Sequence, residues 1–393
     1  MKRILFIVLA TALCTGAAFA QDDLAQKVQF HGFVTQGVLL SNNNNYLGAN
    51  TSDGSSQWTD AALSVSSNLN DKLRGGIQLH FYQLGIFGGD NVQVDWASAD
   101  YRFNDKVGVR AGKVKTVFGL FNDSQDVDAV HMWALLPEPF YGPDNKSYTL
   151  AHYGGDVYGT IDLGKKFGKI GYTGYGGEHS VALDSGYVVK MQDDTDNALT
   201  FNQAPSGSVF GGDLRWHLPL QGVLVGASIF KTHVTGTGIQ NAGGFVVTHD
   251  EPVDFYARYE KGKLFVGGEY KRTPFSATVT VRDLPLPYPD PTIIPAVVDQ
   301  RAWYVMGTYH LLDKLSVGTY YTHEQDNKAN TSLSQNYFKD WTISSRYDFN
   351  SYFYAKAEGH FIDGTNVGFY TANNPTGVVP KTKLLALKLG FSF

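Results

Sequence analysis

Apolar residues recur at every second position along nearly the whole chain, the period of a half-buried extended strand and not of a helix. The C-terminal segment is the clearest case: Leu385, Leu387, Leu389, Phe391 and Phe393 form one face, and Ala386, Lys388, Gly390 and Ser392 the other. The same alternation runs through Val28/Phe30/Gly32/Val34, Leu73/Ile77/Leu79/Phe81, Trp303/Val305/Tyr309 and Trp341/Ile343/Tyr347. A soluble β-sandwich would alternate in the same way, so the period alone sets the class as all-β and nothing finer.

The connections separate the two. Tight-turn compositions follow alternate strands: Asn70-Asp71-Lys72, Asn104-Asp105-Lys106, Gly164 to Gly168, Pro219 to Gly222, Lys261-Gly262-Lys263, Leu312-Asp313-Lys314 and Asn350-Ser351. Gly, Asn and Asp are turn formers for backbone reasons. Between them lie longer polar connections at 41–57, 84–91, 116–147, 178–207, 233–253, 273–298, 324–337 and 364–381. Seven short turns alternating with eight longer loops require sixteen strands. Such short/long alternation is the pattern of a transmembrane antiparallel β-barrel with short periplasmic turns and long extracellular loops. An even strand count puts both ends of the chain at one rim, and a barrel of this size is wide enough to hold water.

Composition agrees. Charged residues make up 18% of the chain against a usual ~25%. Tyr and Phe number 23 and 25, so the chain can bury enough surface to escape disorder. One cysteine excludes a disulfide scaffold, and 32 basic against 37 acidic residues leave no electrostatic footprint for nucleic acid. Lys2 and Arg3, the apolar run Ile4 to Leu13 and Ala18-Phe19-Ala20 describe a signal peptide, residues 1–20, cleaved to leave a single barrel domain at 21–393. An exported chain without a helical span crosses a bilayer only as a closed barrel. Trp58, Tyr101, Phe103, Trp216, Trp303, Tyr309, Tyr347 and Phe349 near strand ends are expected to form the interfacial aromatic girdle.

The signal peptide, the turn/loop alternation, the Asn-Asp-Lys turns and the terminal Phe393 together resemble the trimeric sixteen-stranded general porins of Gram-negative bacteria. That resemblance is architectural and extends over the whole mature chain. It implies a cell outer-membrane location among lipid and lipopolysaccharide, a homotrimer, and recognition of Phe393 by the outer-membrane assembly machinery. It also implies that the third long loop, 116–147, folds into the barrel as a constriction. Glycines 171, 174 and 176 are expected to allow close contacts between subunits.

Loop 116–147 carries Asp123, Asp126, Asp128, Glu138 and Asp144 against Lys146 alone, together with Met132, Trp133, Leu135, Leu136 and Phe140, a set suited to packing on an inner wall. Residues two apart share a face. With the apolar face towards lipid, the lumen receives Arg74, Arg102, Arg110, Arg215, Arg258, Lys271, Arg346, Lys356 and Lys388, and also Asp100, Asp213, Glu260, Glu269, Asp340 and Glu358. A lipid-facing Arg or Lys at mid-bilayer would cost about 2–4 kcal/mol, which constrains the assignment. The expected constriction sets Asp123, Asp126, Asp128 and Glu138 of the loop against Arg74, Arg102, Arg110, Arg215, Arg258, Arg346 and Lys356 of the wall, a transverse field for small hydrophilic solutes. The chain then reads as a passive diffusion channel with a weak cation preference, needing no cofactor and doing no catalysis. No metal-binding, nucleophile-elbow or phosphate-loop motif is present. Two alternatives stay open: a substrate-specific porin for anions such as phosphate, and a structural or adhesive barrel. The six prolines within 273–298 are expected to stiffen an external lid or a partner-facing surface.

Overall fold

The computed structural model describes residues 28–89, 91–193, 200–237, 245–282, 287 and 289–393; the signal peptide expected at 1–20 lies outside them. The described chain forms one antiparallel barrel of sixteen strands. They are β1 Val28–Ser41, β2 Trp58–Asn68, β3 Leu73–Leu84, β4 Val92–Asn104, β5 Val107–Lys115, β6 Ala151–Asp162, β7 Lys169–Ser180 and β8 Ser206–His217. There follow β9 Val223–Thr237, β10 in two pieces (Phe245–Asp250 and Val253–Lys261), β11 Leu264–Val281, β12 Thr292–Leu312, β13 Leu315–Asp326, β14 Tyr337–Asp348, β15 Phe353–Gly364 and β16 Lys381–Ser392. Pro252 sits at the break in β10, where a residue without an N–H cannot donate to the ladder. Each strand pairs with its sequence neighbours. β1 closes on β16 from Phe33 opposite Ser392 to Ser41 opposite Leu384. Gly32 and Phe393 exchange backbone hydrogen bonds of 3.0 Å at the seam. Closure leaves no free edge strand in the barrel, the condition for crossing hydrocarbon.

All seven short turns lie where the composition places them. Three share one device: the Oδ1 of Asn70, Asn104 and Asn350 accepts backbone N–H bonds of 2.8–3.1 Å from the last turn residue and the first residue of the next strand. The outer face is apolar, with Val34, Val157, Phe210, Ile229, Phe255, Val305, Ile343 and Leu389 exposed. The inner face carries Asp60, His80, Asp213, Glu269, Asp340, Lys356, Glu358 and Lys388, all buried.

Two long connections need correction. Most of 233–253 and 273–298 is strand: β9 runs to Thr237, β11 is 18 residues long and β12 is 21, well beyond the ~10 a crossing needs. Pro274 and Pro295 lie inside β11 and β12, opposite Asp299 and Thr278, so the proline-rich stretch is mainly a protruding hairpin; Pro285 falls outside the described residues. Trp58 is not part of the girdle. It points inward and is 2% exposed. Gly171 likewise alternates with inward Tyr175, leaving Gly174 and Gly176 alone on the outer face.

Candidate functional site

Residues 116–150 leave β5, cross the lumen and return to β6. The crossing is driven first by burial of a misplaced apolar set. Trp133, Leu136, Phe140 and Tyr141 pack against inward Ala302, Tyr304, Met306 and Tyr320 of β12 and β13. Ring centroids lie 4.9 Å apart for Phe140–Tyr304 and 5.0 Å for Trp133–Tyr320, both edge-on, a geometry worth about 0.5–1.5 kcal/mol beyond area burial. Ala134 and Leu135 join Leu39, Trp58, Phe338, Ile362, Leu384 and Ala386 on both sides of the seam. Two single-turn helices, Glu138–Tyr141 and Lys146–Thr149, keep the path compact.

Polar side chains of the wall then fasten the loop. Asp128 receives Lys356 and Lys388 at 2.8 Å each and the Tyr354 hydroxyl at 2.8 Å. The two lysines also donate to the carbonyls of Asp128, Trp133 and Ala134. Glu358 accepts the backbone N–H groups of Ala134 and Leu135 at 2.8 and 2.9 Å. Arg346 donates to the carbonyls of Ala129 and His131. Across the barrel, Asp126 takes Lys115 and Gln78, each at 2.7 Å. Arg215 joins Asp123 at 3.3 Å to Asp213 at 2.9 Å. Glu269 accepts the N–H of Leu120 and the hydroxyls of Tyr141 and Tyr304. Lys146 reaches Asp60, which also meets His80. Such charge-assisted bonds are short and strong, and they come from strands all round the wall.

Titration inside the loop follows from this packing. Burial raises the Asp128 carboxyl, but the ammonium groups of Lys356 and Lys388 outweigh it and hold it well below the usual carboxylate range. Burial, then the neighbouring Asp144, pushes Glu138 well up, and burial raises Asp144 although the Tyr370 hydroxyl bonds to it. Burial thus disfavours charge on both carboxyls of this pair. Burial drives His131 down to about 4.

The expected constriction residues therefore divide. Asp123, Asp126, Asp128, Arg215, Arg346 and Lys356 meet in direct contacts between loop and wall. Glu138 is in the loop but faces Asp144. Arg110 lies on the inner wall and pairs with Asp156 at 2.8 Å. Arg74, Arg102 and Arg258 do not reach the loop: Arg74 bonds Ser66, Arg102 pairs with Asp105 beside a short turn, and Arg258 lies 3.9 Å from Glu260. Sequence reasoning overlooked Lys115, Asp60, His80, Gln78 and the tyrosines 141, 256, 304 and 354 as loop anchors. Inward alternation was the one signal that could have flagged those on the wall.

The loop fills the lumen unevenly. Inward side chains of β12–β16 are almost wholly covered, whereas the β5–β8 wall stays partly open. There Arg110 and Arg215 are each 26% exposed at the side chain and Asp123 is 34% exposed. The inward positions 154, 171 and 177 are glycines, so this wall recedes where the loop does not cover it. Along this strip Arg110 pairs with Asp156 and Lys115 with Asp126, while Arg215 is shared by Asp123 and Asp213.

No family model and no curated relative matches the chain. Solved structures do. "Outer-membrane expressed OmpT" of Vibrio cholerae aligns over 93% of this chain and 97% of its own at 15% identity and TM-score 0.55. OmpF of Salmonella typhi, in complex with daunomycin, aligns over 93% and 97% at 13% identity and TM-score 0.56. An anion-selective porin from Comamonas acidovorans aligns over 93% and 99% at 10% identity and TM-score 0.54. With strand order, closure and near-complete coverage agreeing, the chain has the closed sixteen-stranded barrel fold of the outer-membrane porins.

Proposed function

We propose that this protein is an outer-membrane channel for passive diffusion of small hydrophilic solutes and ions, working without cofactor or catalysis. The observation that carries the reading is the partly exposed strip of Arg110, Lys115, Asp123 and Arg215 beside a glycine-lined wall, opposite a loop fastened across the rest of the lumen. Rings and strips of charge set selectivity in such pores. Because each loop carboxylate on this strip has a basic partner, the selectivity expected is weak, and the net field is smaller than the acid count of the loop implies. A homotrimer is the assembly we favour; one solved structure of V. cholerae OmpT with the same fold is described as a trimer form.

Planar-bilayer recording of the purified mature chain tests the reading. Stable stepwise conductance that does not saturate with solute supports it; saturation by one anion turns it into a specific porin, and silence removes it. Two variants sharpen the test. A β-carbon on Gly171 would meet nothing closer than 3.8 Å, so Gly171→Trp is expected to fold normally. It should cut single-channel conductance by about half or more, because an indole adds 150–250 Å² of side chain to the open strip. Asp123→Asn leaves Arg215 with Asp213 and should move the reversal potential in asymmetric KCl towards anions, with stability changed by no more than about 1 kcal/mol at this half-exposed pair.

A further inference from the structure

The wall forks between two neighbouring strands. β4 pairs with β3 as far as Val92 opposite Phe81, but with β5 only as far as Ala97 opposite Lys113. β5 continues to Lys115 paired with β6 alone. Residues 92–96 thus have no ladder partner on their β5 side. Both flanks of the fork carry devices that hold it open. Gly112 has φ +128°, and a β-carbon there would fall 2.2 Å from the Ala97 carbonyl oxygen, so β5 turns away from β4 at a position only glycine can occupy. On the other flank the β3–β4 register shifts between Gln78 and Leu79, opposite Trp96 and Val94, and leaves Asp95 as a bulge. The Lys113 ammonium reaches across and donates to the Val94 carbonyl at 2.6 Å, satisfying an acceptor that the missing ladder would otherwise orphan.

A cavity of about 210 Å³ occupies the fork. On its inner side stand His80, Asp95 and Lys146; on its outer side stand Lys113 and Tyr153. Tyr153 alternates with inward His152 and is 50% exposed, and Lys113 lies 5.3 Å from its ring centroid. Val92 and Val94 are exposed on the same outer surface. Val94, whose carbonyl holds the Lys113 ammonium, is ten residues above Asn104 at the short turn, a height of about 24 Å for strands tilted ~45°, at the upper edge of the ~25 Å apolar band of such barrels. Phe87, Gly88 and Ala182 of the outer loops and Ser180 at the end of β7 also line the cavity, which therefore lies at the outer edge of the membrane between charged inward side chains and the apolar outer face. His80 is held by Asp60 and Asp95, and Lys146 by Asp60. Lys113 makes no ion pair within 4.0 Å among the described residues, although the Asp95 charge is near enough to attract it. Asp184, also lining the cavity, belongs to the outer loop after β7 and lies towards Gly89.

Resting on the reading of the chain as a membrane channel, we propose that the fork between β4 and β5 is a lateral port for a single-chain amphiphile with an anionic head. The head meets the Lys113 ammonium beside Val94 at the outer edge of the membrane, and the alkyl chain descends past Tyr153 into the bilayer. Neither half of such a molecule would suffice: a bare anion has no use for the apolar flank, and a neutral alkyl chain leaves Lys113 without its partner.

Native mass spectrometry of the full mature chain released from a neutral detergent tests this, with dodecyl phosphate, dodecanol or inorganic phosphate added at equal concentration. The wild type should retain one dodecyl phosphate per chain and neither of the others. Lys113→Gln should retain at least about tenfold less, and Lys113→Arg should restore it. Equal retention by Lys113→Gln, or retention of inorganic phosphate alone, overturns the port; the latter would mean an anion site in the lumen. A Tyr153→Cys thiol shielded from a membrane-soluble maleimide in the oligomer but not in the monomer also overturns it, since a second copy would then cover the fork. Bilayer conductance of the same preparations keeps the two readings apart. A conducting protein that holds no amphiphile removes the port alone, and an amphiphile-binding protein that never conducts removes the channel.

Discussion

Replacing Asp128 by Asn should release the loop. The side chain is nearly isosteric, so packing is kept and one charge is lost. Lys356 and Lys388 then remain buried, 0% and 4% exposed at their side chains, facing carbonyl acceptors and ring faces, Tyr354 at 5.3 Å for Lys356 and Trp58 at 4.0 Å for Lys388. Breaking a buried ion pair by removing one partner costs about 3–5 kcal/mol, because the surviving charge stays desolvated. Here two survive on one carboxylate. Every 1.4 kcal/mol is a factor of ten, so the ratio of docked to released loop should fall about a hundredfold or more. The barrel itself, held by closed ladders, should persist. The effect is expected as flickering, larger conductance in bilayers and as new protease cuts within 116–150, with heat-resistant barrel mobility on gels unchanged. Lys356→Met with Lys388→Met in the Asp128→Asn background should recover much of the loss, since an apolar replacement of a whole buried ion group is often neutral. Wild-type conductance and protease resistance in Asp128→Asn alone would show that the pairs do not hold the loop.

The barrel was legible because its determinants are local. A two-residue period, Asn at the turn position that caps the next strand, and alternating connection lengths all act over a dozen residues or fewer. The stretches 233–253 and 273–298 misled for a physical reason: beyond the membrane a strand no longer needs an apolar outer face. Thr278, Thr280 and Thr292 with Pro274 and Pro295 therefore read as loop while pairing as ladder. The site was legible by halves. An acid-rich loop with five large apolar residues stood out, and alternation put the right bases on the inner face. Which base meets which acid was not readable. Asp128 finds Lys356 and Lys388 across 228 and 260 residues, and no local pattern carries that pairing. Arg74, Arg102 and Arg258 share the face without sharing the height. The fork at Gly112 was hidden for the same reason, because an interrupted ladder leaves the alternation of each separate strand intact.

Acid should loosen the loop through His131, and the sign can be worked from its surroundings. The ring is buried against Phe121, edge-on at 5.5 Å, and its Nε2–H donates to the Ser124 carbonyl at 2.8 Å. Burial lowers its pKa to about 4, against ~6.5 for a ring exposed in a released loop. Above pH 6.5 both states hold the ring neutral, and its full contribution to docking is present. Between 6.5 and 4 the released loop takes up a proton that the docked loop refuses, so docking is lost progressively, by about 3 kcal/mol at the lower end. Glu138 and Asp144 pull the other way. Burial raises both carboxyls in the docked loop relative to a released one, so falling pH favours docking through that pair. Asp128, held low by its two lysines, stays charged throughout this window. The measurable quantity is therefore a difference. His131→Gln keeps a donor for Ser124 and cannot titrate, so wild type should open more than this variant as pH falls from 6.5 to 4, with the two alike above 7. Parallel conductance–pH curves would mean that the ring protonates in place without disturbing the loop, and would leave the apolar packing and the wall contacts to hold it.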